Sequence, residues 1–335
     1  MDAERVELEL KLQTGRTTGE GELFTVAELI EAWIQSGDKR RAAATQYKYR
    51  GIAKNWLNPY PIADATISRV RTAEIELHLQ TILAPKDGPK PEGTIGAATV
   101  SQLAAMLTGS FGWAARMGWV ATNPANDCTP IGENRSAVRA AEPADVKEAL
   151  RRADQVRPGL AALIRFLATT GCRRGEALAT RWSSIEGNTV TISESVAAVP
   201  GTGLQVKDTK THRSRRLVID DGLLSALEAQ RQHQLETLEE AGAPFREDGF
   251  IWSQHNDGQT PWRPDTAGKW IRETGLTSLQ LRHMVATQTL SQGVPLHTVS
   301  ARLGHSRSST TLDVYAEAIP AHDQDAADLL GGLFE

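Results

Sequence analysis

The chain has 335 residues, 40% hydrophobic and 23% charged, which predicts a globular protein of two domains and excludes a disordered chain, a collagen or a coiled-coil rod. Two cysteines, Cys128 and Cys172, exclude a disulfide scaffold and argue against a multi-cysteine zinc site. No apolar run is long enough to span a membrane and the N-terminus has no apolar signal stretch, so no membrane partner and a cytoplasmic location are expected.

The net charge of −4 points away from nucleic acid until its distribution is read. Residues 1–22, a short acidic N-terminal segment, carry six acids against three bases; residues 317–335 carry five acids and no Lys or Arg. The body between them is net positive. Residues 37–55 hold six bases and one acid, and residues 205–216 hold five bases and one acid. Local clusters of this kind set the field a phosphate meets.

In chain order, residues 23–36 read as a helix, with Thr25 as cap, Glu28 completing a capping box, and Leu29, Ile30 and Trp33 on one face. Residues 41–57 form a basic helix with Tyr47, Ile52 and Trp56 as its apolar side, ended by NPYP at 58–61. A third helix runs from near Arg71 to before Pro85. The Gly/Pro-rich stretch 86–96 is a loop. A long helix follows at 97–117, with Val100, Leu103, Met106, Leu107, Phe111 and Ala114 on one stripe. Residues 23–128 thus make a helical domain, and 129–142, without periodicity, a linker. Pro143 begins the second domain, 143–335. An apolar helix at 157–170 ends at Gly171. The period then changes to two: 189–199 and 215–220 read as strands, with 203–210 a third between them. Helices resume at 222–241, 266–273, 279–292, 295–303 and 309–318. The fold class is mainly α with a small antiparallel β-sheet.

Four stretches hold residues that can do chemistry. TTGCRRGEALATRW (169–182) brings a helix end, a Gly turn and Arg173 together. TKTHRSRRLVID (209–220) puts Lys210 at a turn before a basic strand. LQLRHMVATQTL (279–290) places Arg282 and His283 early on a helix. RLGHSRSSTTLDVY (302–315) holds a Gly turn, His305 and Tyr315. Two arginines, a lysine and a histidine hold a phosphodiester by charge-assisted hydrogen bonds, and a tyrosine can attack the phosphorus. Such a cradle stabilises the charge that develops, with no metal or other cofactor needed. Cys172 reads as a small buried hydrophobe, and Trp56, Trp113 and Trp182 as core.

The order TGxRxxE, a lysine hairpin, LRH, LGH and a tyrosine resembles the tyrosine recombinase, or phage integrase, family over roughly residues 23–320. FTVAELIEAWI, TVSQLAAMLTGSFGWAARMGW and ATNPA are similar to its helical core-binding (SAM-like) domain. The resemblance implies a C-shaped clamp on duplex DNA at attachment or core sites, and a site-specific recombinase that cleaves and rejoins DNA through a 3′-phosphotyrosyl intermediate, integrating or excising a phage or mobile element. It implies Arg173 and Arg282 as the catalytic arginines and Glu176 as support for the first. Lys210 is implied as general acid toward the leaving 5′ oxygen, with Lys207 as runner-up. His305 is implied as a phosphate contact and Tyr315 as nucleophile. His283 stands beside Arg282 in a supporting place. Lys39, Arg40, Arg41, Lys48, Arg50, Arg213 and Arg215 are expected to meet DNA. The same resemblance implies a homotetramer on DNA, nucleoid association, and a directionality factor or host DNA-bending protein as possible partners. The acidic C-terminal segment is a candidate for docking on a neighbouring protomer, and no arm-type DNA-binding domain is expected ahead of residue 23.

One position departs from the pattern. The family reads H-x-x-R-H, and this chain has Leu279 where the first histidine stands. Losing one such donor costs about 2.7–4 kcal/mol in comparable oxyanion sites. Two other readings therefore stay open: a catalytically impaired DNA-binding relative, and a type IB topoisomerase-like relaxing enzyme that shares the tyrosine chemistry.

Overall fold

The computed structural model describes residues 24–37, 41–83, 95–129, 139–199, 201, 203–208, 214–305 and 311–312. The chain divides into two compact units, Met1–Ser136 and Ala137–Glu335.

The described part of the first unit is helical: α1 (Val26–Ser36), α2 (Ala43–Trp56), α3 (Thr72–Leu83) and α4 (Ala97–Arg116), with a 3₁₀ turn at Pro61–Asp64. Helix α1 starts where its sequence directs. The Thr25 hydroxyl accepts from the Glu28 amide at 3.3 Å, and the Glu28 carboxylate accepts from the Thr25 amide at 2.8 Å. Leu29, Ile30 and Trp33 turn inward, where they meet the apolar stripe of α4 (Val100, Leu103, Met106, Leu107, Phe111, Ala114). Each large side chain so buried stabilises the unit by about 1.5–3 kcal/mol. Helix α2 differs from expectation in one residue. Tyr47 is exposed, and Tyr49 packs instead, its ring 5.6 Å from that of Trp33. The buried stripe is Tyr49, Ile52, Ala53 and Trp56, a 3-1-3 spacing that holds one helical face; Tyr47 lies well off it.

His78, on α3, is buried with its ring 5.0 Å from Tyr60 in an edge contact. Its Nε2 has no hydrogen-bond partner among the described residues. Burial, opposed by a weaker bond to the Trp56 backbone, pulls its pKa from 6.5 down to about 4. A histidine depressed in the folded state is charged more readily in the unfolded one, so stability is full above about pH 6.5 and falls as pH drops toward 4. The expected loss across that window is about 3 kcal/mol. Thermal unfolding of the full chain at pH 8 and pH 5 checks this: His78→Phe is expected to remove part of the acid-dependent drop in Tm, and an identical drop in both proteins would refute it.

The second unit contains α5 (Pro143–Val156), α6 (Leu160–Thr170), α7 (Arg174–Leu178), β1 (Ile185–Glu186), β2 (Thr189–Ile192), β3 (Glu194–Val199), β4 (Gly203–Asp208), β5 (Arg215–Val218), α8 (Asp221–Glu240), α9 (Pro264–Glu273), α10 (Ser278–Ser291) and α11 (Leu296–Leu303). Pro143 occupies the first turn of α5. Helix α6 is buried along Leu160, Leu163, Ile164, Phe166 and Leu167 and forms the middle of the core, where Phe166 meets the edge of Trp252 at 5.1 Å. Helices α8 to α11 begin and end within two residues of their expected limits. Of the helix expected at 309–318, residues 311 and 312 are described and helical; the rest lies outside the described residues.

The strands differ from expectation. The run 189–199 is two strands in two sheets; the strand expected at 203–210 is present at Gly203–Asp208 and pairs with the second half of that run, not with 215–218. Strand β2 pairs antiparallel with β1 and β5, Val190 opposite Leu217, while β3 pairs antiparallel with β4, Val196 opposite Val206. The chain changes sheet at Ser193, within the polar Ser-Glu-Ser stretch that interrupts the apolar alternation. The two-residue β1 and the five-residue α7 are too short for periodicity to mark. No described helix is long and apolar enough to cross a membrane.

Candidate active site

The site of the second unit is assembled from helix ends. Helix α6 stops at Gly171, whose left-handed conformation (φ 64°) turns the chain out of the helix. The Gly171 carbonyl accepts from Arg282 Nη1 at 2.7 Å. Two residues on, Arg173 caps α7: its amide donates to Glu176 Oε2 at 3.0 Å, and its Nη1 donates to Glu176 Oε1 at 2.9 Å. Helix α11 ends at Gly304, also left-handed (φ 70°), and the Gly304 carbonyl accepts from the same Arg173 Nη1 at 3.3 Å. Each of the two arginines is thus held by a carbonyl freed at a glycine helix stop. His305 follows Gly304 directly, and its Nδ1 lies 2.7 Å from Thr311 Oγ1.

Glu176 is the centre of this arrangement. Its side chain is 1% exposed, and Oε2 also accepts from Arg215 Nη2 at 2.6 Å. Burial alone would raise its pKa; the bonds from Arg215 and Arg173 more than offset that and hold the carboxyl below its usual range. Arg215 Nε donates to the Arg302 carbonyl at 3.0 Å, and Arg302 Nη2 donates to the Thr169 carbonyl at 2.8 Å. Strand β5, helix α11 and the end of α6 are therefore tied by two guanidinium groups.

Arg282 is buried, and burial, then the charge of Arg173, pulls its pKa down to about 10. Its Nη2 has no hydrogen-bond partner among the described residues. His305 is pulled down to about 4 by burial first, then by the charges of Arg282, Arg173 and Arg215. The imidazole is neutral at physiological pH and lies in the field of three arginines. His283 is half-buried, and burial followed by Arg282 lowers its pKa. Leu279, on the first turn of α10, is 48% exposed. Cys172 is buried, its thiol pushed up to about 11 by burial and by Glu176, in keeping with a small hydrophobe.

Gly171 tests the construction. A Cβ there would lie 2.8 Å from Leu303 Cδ2 and 3.0 Å from Val285 Cγ1, in a left-handed backbone. Gly171→Ala is expected to destabilise the protein by about 2–4 kcal/mol from backbone strain and overpacking together. The urea midpoint checks it; an unchanged midpoint would show that the helix end adapts freely.

The structure brings Arg173, Glu176, Arg282 and His305 together. Lys207 is exposed on β4, opposite Ser195. Lys39, Arg40, Lys210, Arg213 and Tyr315 lie outside the described residues. In the first unit, Lys48 is exposed, whereas Arg41 stacks 3.7 Å from the Trp33 ring centre and donates to the Trp33 carbonyl, and Arg50 pairs with Glu31 at 3.0 Å. Arg215, expected among the DNA contacts, is 13% exposed in its side chain and bound to Glu176. The strand's alternation explains this correction: Arg215 shares the inward face of buried Leu217, while Arg216 points outward. Arg302 and Thr311 carried no expectation. Thr311 lies in a Ser/Thr run that reads as a helix cap, and only its spatial contact with His305 marks it. Among the described residues no group of three His, Cys, Asp or Glu side chains is placed to hold a metal ion.

Residues 142–322, more than half of the chain, match the model of the phage integrase family. The chain belongs to the phage integrase family. It is a tyrosine-type site-specific DNA recombinase, an integrase. A tyrosine recombinase XerC-like protein of Caldanaerobacter subterraneus subsp. tengcongensis is 25% identical to this integrase, over 92% of this chain and 83% of the relative. The ICEBs1 integrase of Bacillus subtilis is 34% identical over 49% of this chain and 46% of its own. Among solved structures, the Tn1549 transposon integrase in complex with a circular intermediate DNA has a TM-score of 0.75 at 16% identity, covering 91% of this chain and 98% of that one. The lambda integrase tetramer bound to a Holliday junction has a TM-score of 0.63 at 18% identity, covering 92% and 86%. Both share the fold of this integrase.

Proposed function

We propose that Arg173, Arg282 and His305 hold one phosphodiester of a DNA duplex while the Tyr315 oxygen attacks its phosphorus, and that Lys210 gives a proton to the departing 5′ oxygen. The observation that carries this reading is a cluster in which Arg173 and Arg215 bind the buried Glu176 carboxylate, Arg282 and His305 lie within range of its charge, and Arg282 Nη2 is left without a partner among the described residues. A phosphate oxygen is the acceptor an unpaired guanidinium nitrogen calls for, in a pocket where positive charge exceeds negative. Glu176 and Arg215 do not touch the phosphate in this reading; they fix Arg173. Lys207 is the alternative proton donor.

The first unit, read as 23–128, is proposed to bind DNA as well as the catalytic unit, read as 143–335, with 129–142 as the linker. Lys39, Arg40 and Lys48 there, and Arg213 in the second unit, would meet phosphates. Affinity would then fall steeply with salt. Assembly as a homotetramer on paired sites is proposed from the lambda integrase tetramer on a Holliday junction. A soluble, nucleoid-associated enzyme follows from the same reading, aided by a directionality or DNA-bending factor.

The test is covalent trapping on a nicked suicide duplex carrying a candidate core site. An adduct with the natural chain and none with Tyr315→Phe is the expected result. Salt-sensitive binding without an adduct, unrepaired by Leu279→His, would overturn the catalytic reading in favour of a DNA-binding relative.

A further inference from the structure

We infer that Thr311 is a positioning residue that fixes the tautomer of His305, so that the histidine presents an Nε2–H donor to the scissile phosphate. The inference rests on the reading above, in which His305 touches that phosphate.

Thr311 Oγ1 lies 2.7 Å from His305 Nδ1, and Thr311 is fully buried. A neutral imidazole has one N–H and one lone pair, and a hydroxyl can meet either; the donating role at Nδ1 is the one inferred for Thr311. A threonine hydroxyl that donates to Nδ1 leaves the proton on Nε2. In the opposite arrangement Nδ1–H donates to the hydroxyl, and Nε2 turns a lone pair outward. Against a phosphate oxygen the first is a hydrogen bond and the second a repulsion.

This choice matters where His305 is neutral. In the protein without DNA, burial and the surrounding arginines lower its pKa to about 4, which disfavours a ring protonated on both nitrogens. A charged histidine would donate from Nε2 whatever its partner; a neutral one donates only in the correct tautomer. The rest of the pocket adds weight to the same bond. Leu279 offers no donor from the first turn of α10, so the phosphate has fewer hydrogen bonds to share among the remaining groups. Thr311 and His305 are six residues apart, and no residue type other than Ser or Thr brings a short hydroxyl to that buried place.

The test uses the full chain on the nicked suicide duplex, with single-turnover cleavage measured at saturating DNA. Thr311→Val keeps the shape and removes the hydroxyl; Thr311→Ser keeps the hydroxyl. Thr311→Val is expected to cleave about 10–100-fold more slowly, somewhat less than the loss of a whole oxyanion donor, and Thr311→Ser to stay within a few-fold of the natural chain. Nitrogen-15 spectra of the histidine rings are expected to show His305, assigned by its absence in His305→Ala, protonated on Nε2 in the natural chain and shifted toward Nδ1–H in Thr311→Val. An Nδ1–H signal in the natural chain would overturn the inference even if Thr311→Val failed to fold. So would natural cleavage by Thr311→Val, or a Thr311→Ser as slow as the valine variant. His305→Ala separates the two readings. If it cleaves at the natural rate, the site reading itself fails; if it is slow while Thr311→Val is not, the tautomer inference alone fails.

Discussion

Glu176→Ala is expected to destabilise the catalytic unit by about 3–5 kcal/mol and to abolish covalent trapping, although Glu176 itself makes no contact with DNA in the proposed mechanism. The carboxylate is almost fully buried and accepts from the Arg173 amide, Arg173 Nη1 and Arg215 Nη2. Removing it leaves two guanidinium groups beside a third, that of Arg282, without the negative charge that holds them. Glu176→Gln keeps the shape and one acceptor, and its loss is expected to be smaller. The acid limb of the stability curve gives a second readout. The Glu176 carboxyl is depressed in the folded state, so its contribution is present above about pH 4.5 and lost as pH falls through the lower folded value. In Glu176→Gln that part of the slope should disappear. Urea midpoints at pH 7 and at acid pH, with unchanged m, measure both effects. A midpoint within 1 kcal/mol of the natural chain would show that the arginines are held by other means.

Leu279→His is expected to accelerate cleavage, by up to about 10²–10³-fold if the imidazole reaches the phosphate. Leu279 lies on the first turn of α10, three residues before Arg282, a spacing that places the two side chains as neighbours on the helix surface. The leucine is 48% exposed and belongs to no buried cluster, so its replacement should change stability by less than about 0.5 kcal/mol. Single-turnover trapping and thermal unfolding, measured on the same preparations, separate rate from folding. Equal rates for the two proteins would mean that the natural pocket already supplies every hydrogen bond the phosphate uses.

Much of this architecture is legible in the amino-acid sequence because it depends on local rules. The Thr25–Glu28 box, Pro143 at a helix start and Gly171 at a helix stop each act within one turn, and the structure has all three. The motifs around Arg173, Arg282 and His305 were legible through their order, and the structure brings the three residues close together. What escaped depends on distance. The change of sheet at Ser193 is set by which partner strand each half finds, not by propensity within 189–199. Arg215 read as a basic surface residue because a charge run looks solvated; its pairing with Glu176, 39 residues away, is invisible along the chain. Tyr49 rather than Tyr47 shares the helical face of Ile52 and Trp56, so this difference is one of spacing, which the contact with Trp33 makes plain.

The two glycine helix stops have a consequence for the order in which this protein is made. Arg173 is held by a carbonyl 131 residues later in the chain, and Arg282 by one 111 residues earlier. Contacts that span such separations form late, after the intervening elements have found one another. A growing chain therefore carries Arg173 and Glu176 for more than a hundred residues of synthesis before the Gly304 carbonyl and His305 that complete this cluster are made. The cluster around Glu176 is therefore complete only once the chain has been made through Gly304 and His305, long after the carboxylate at its centre.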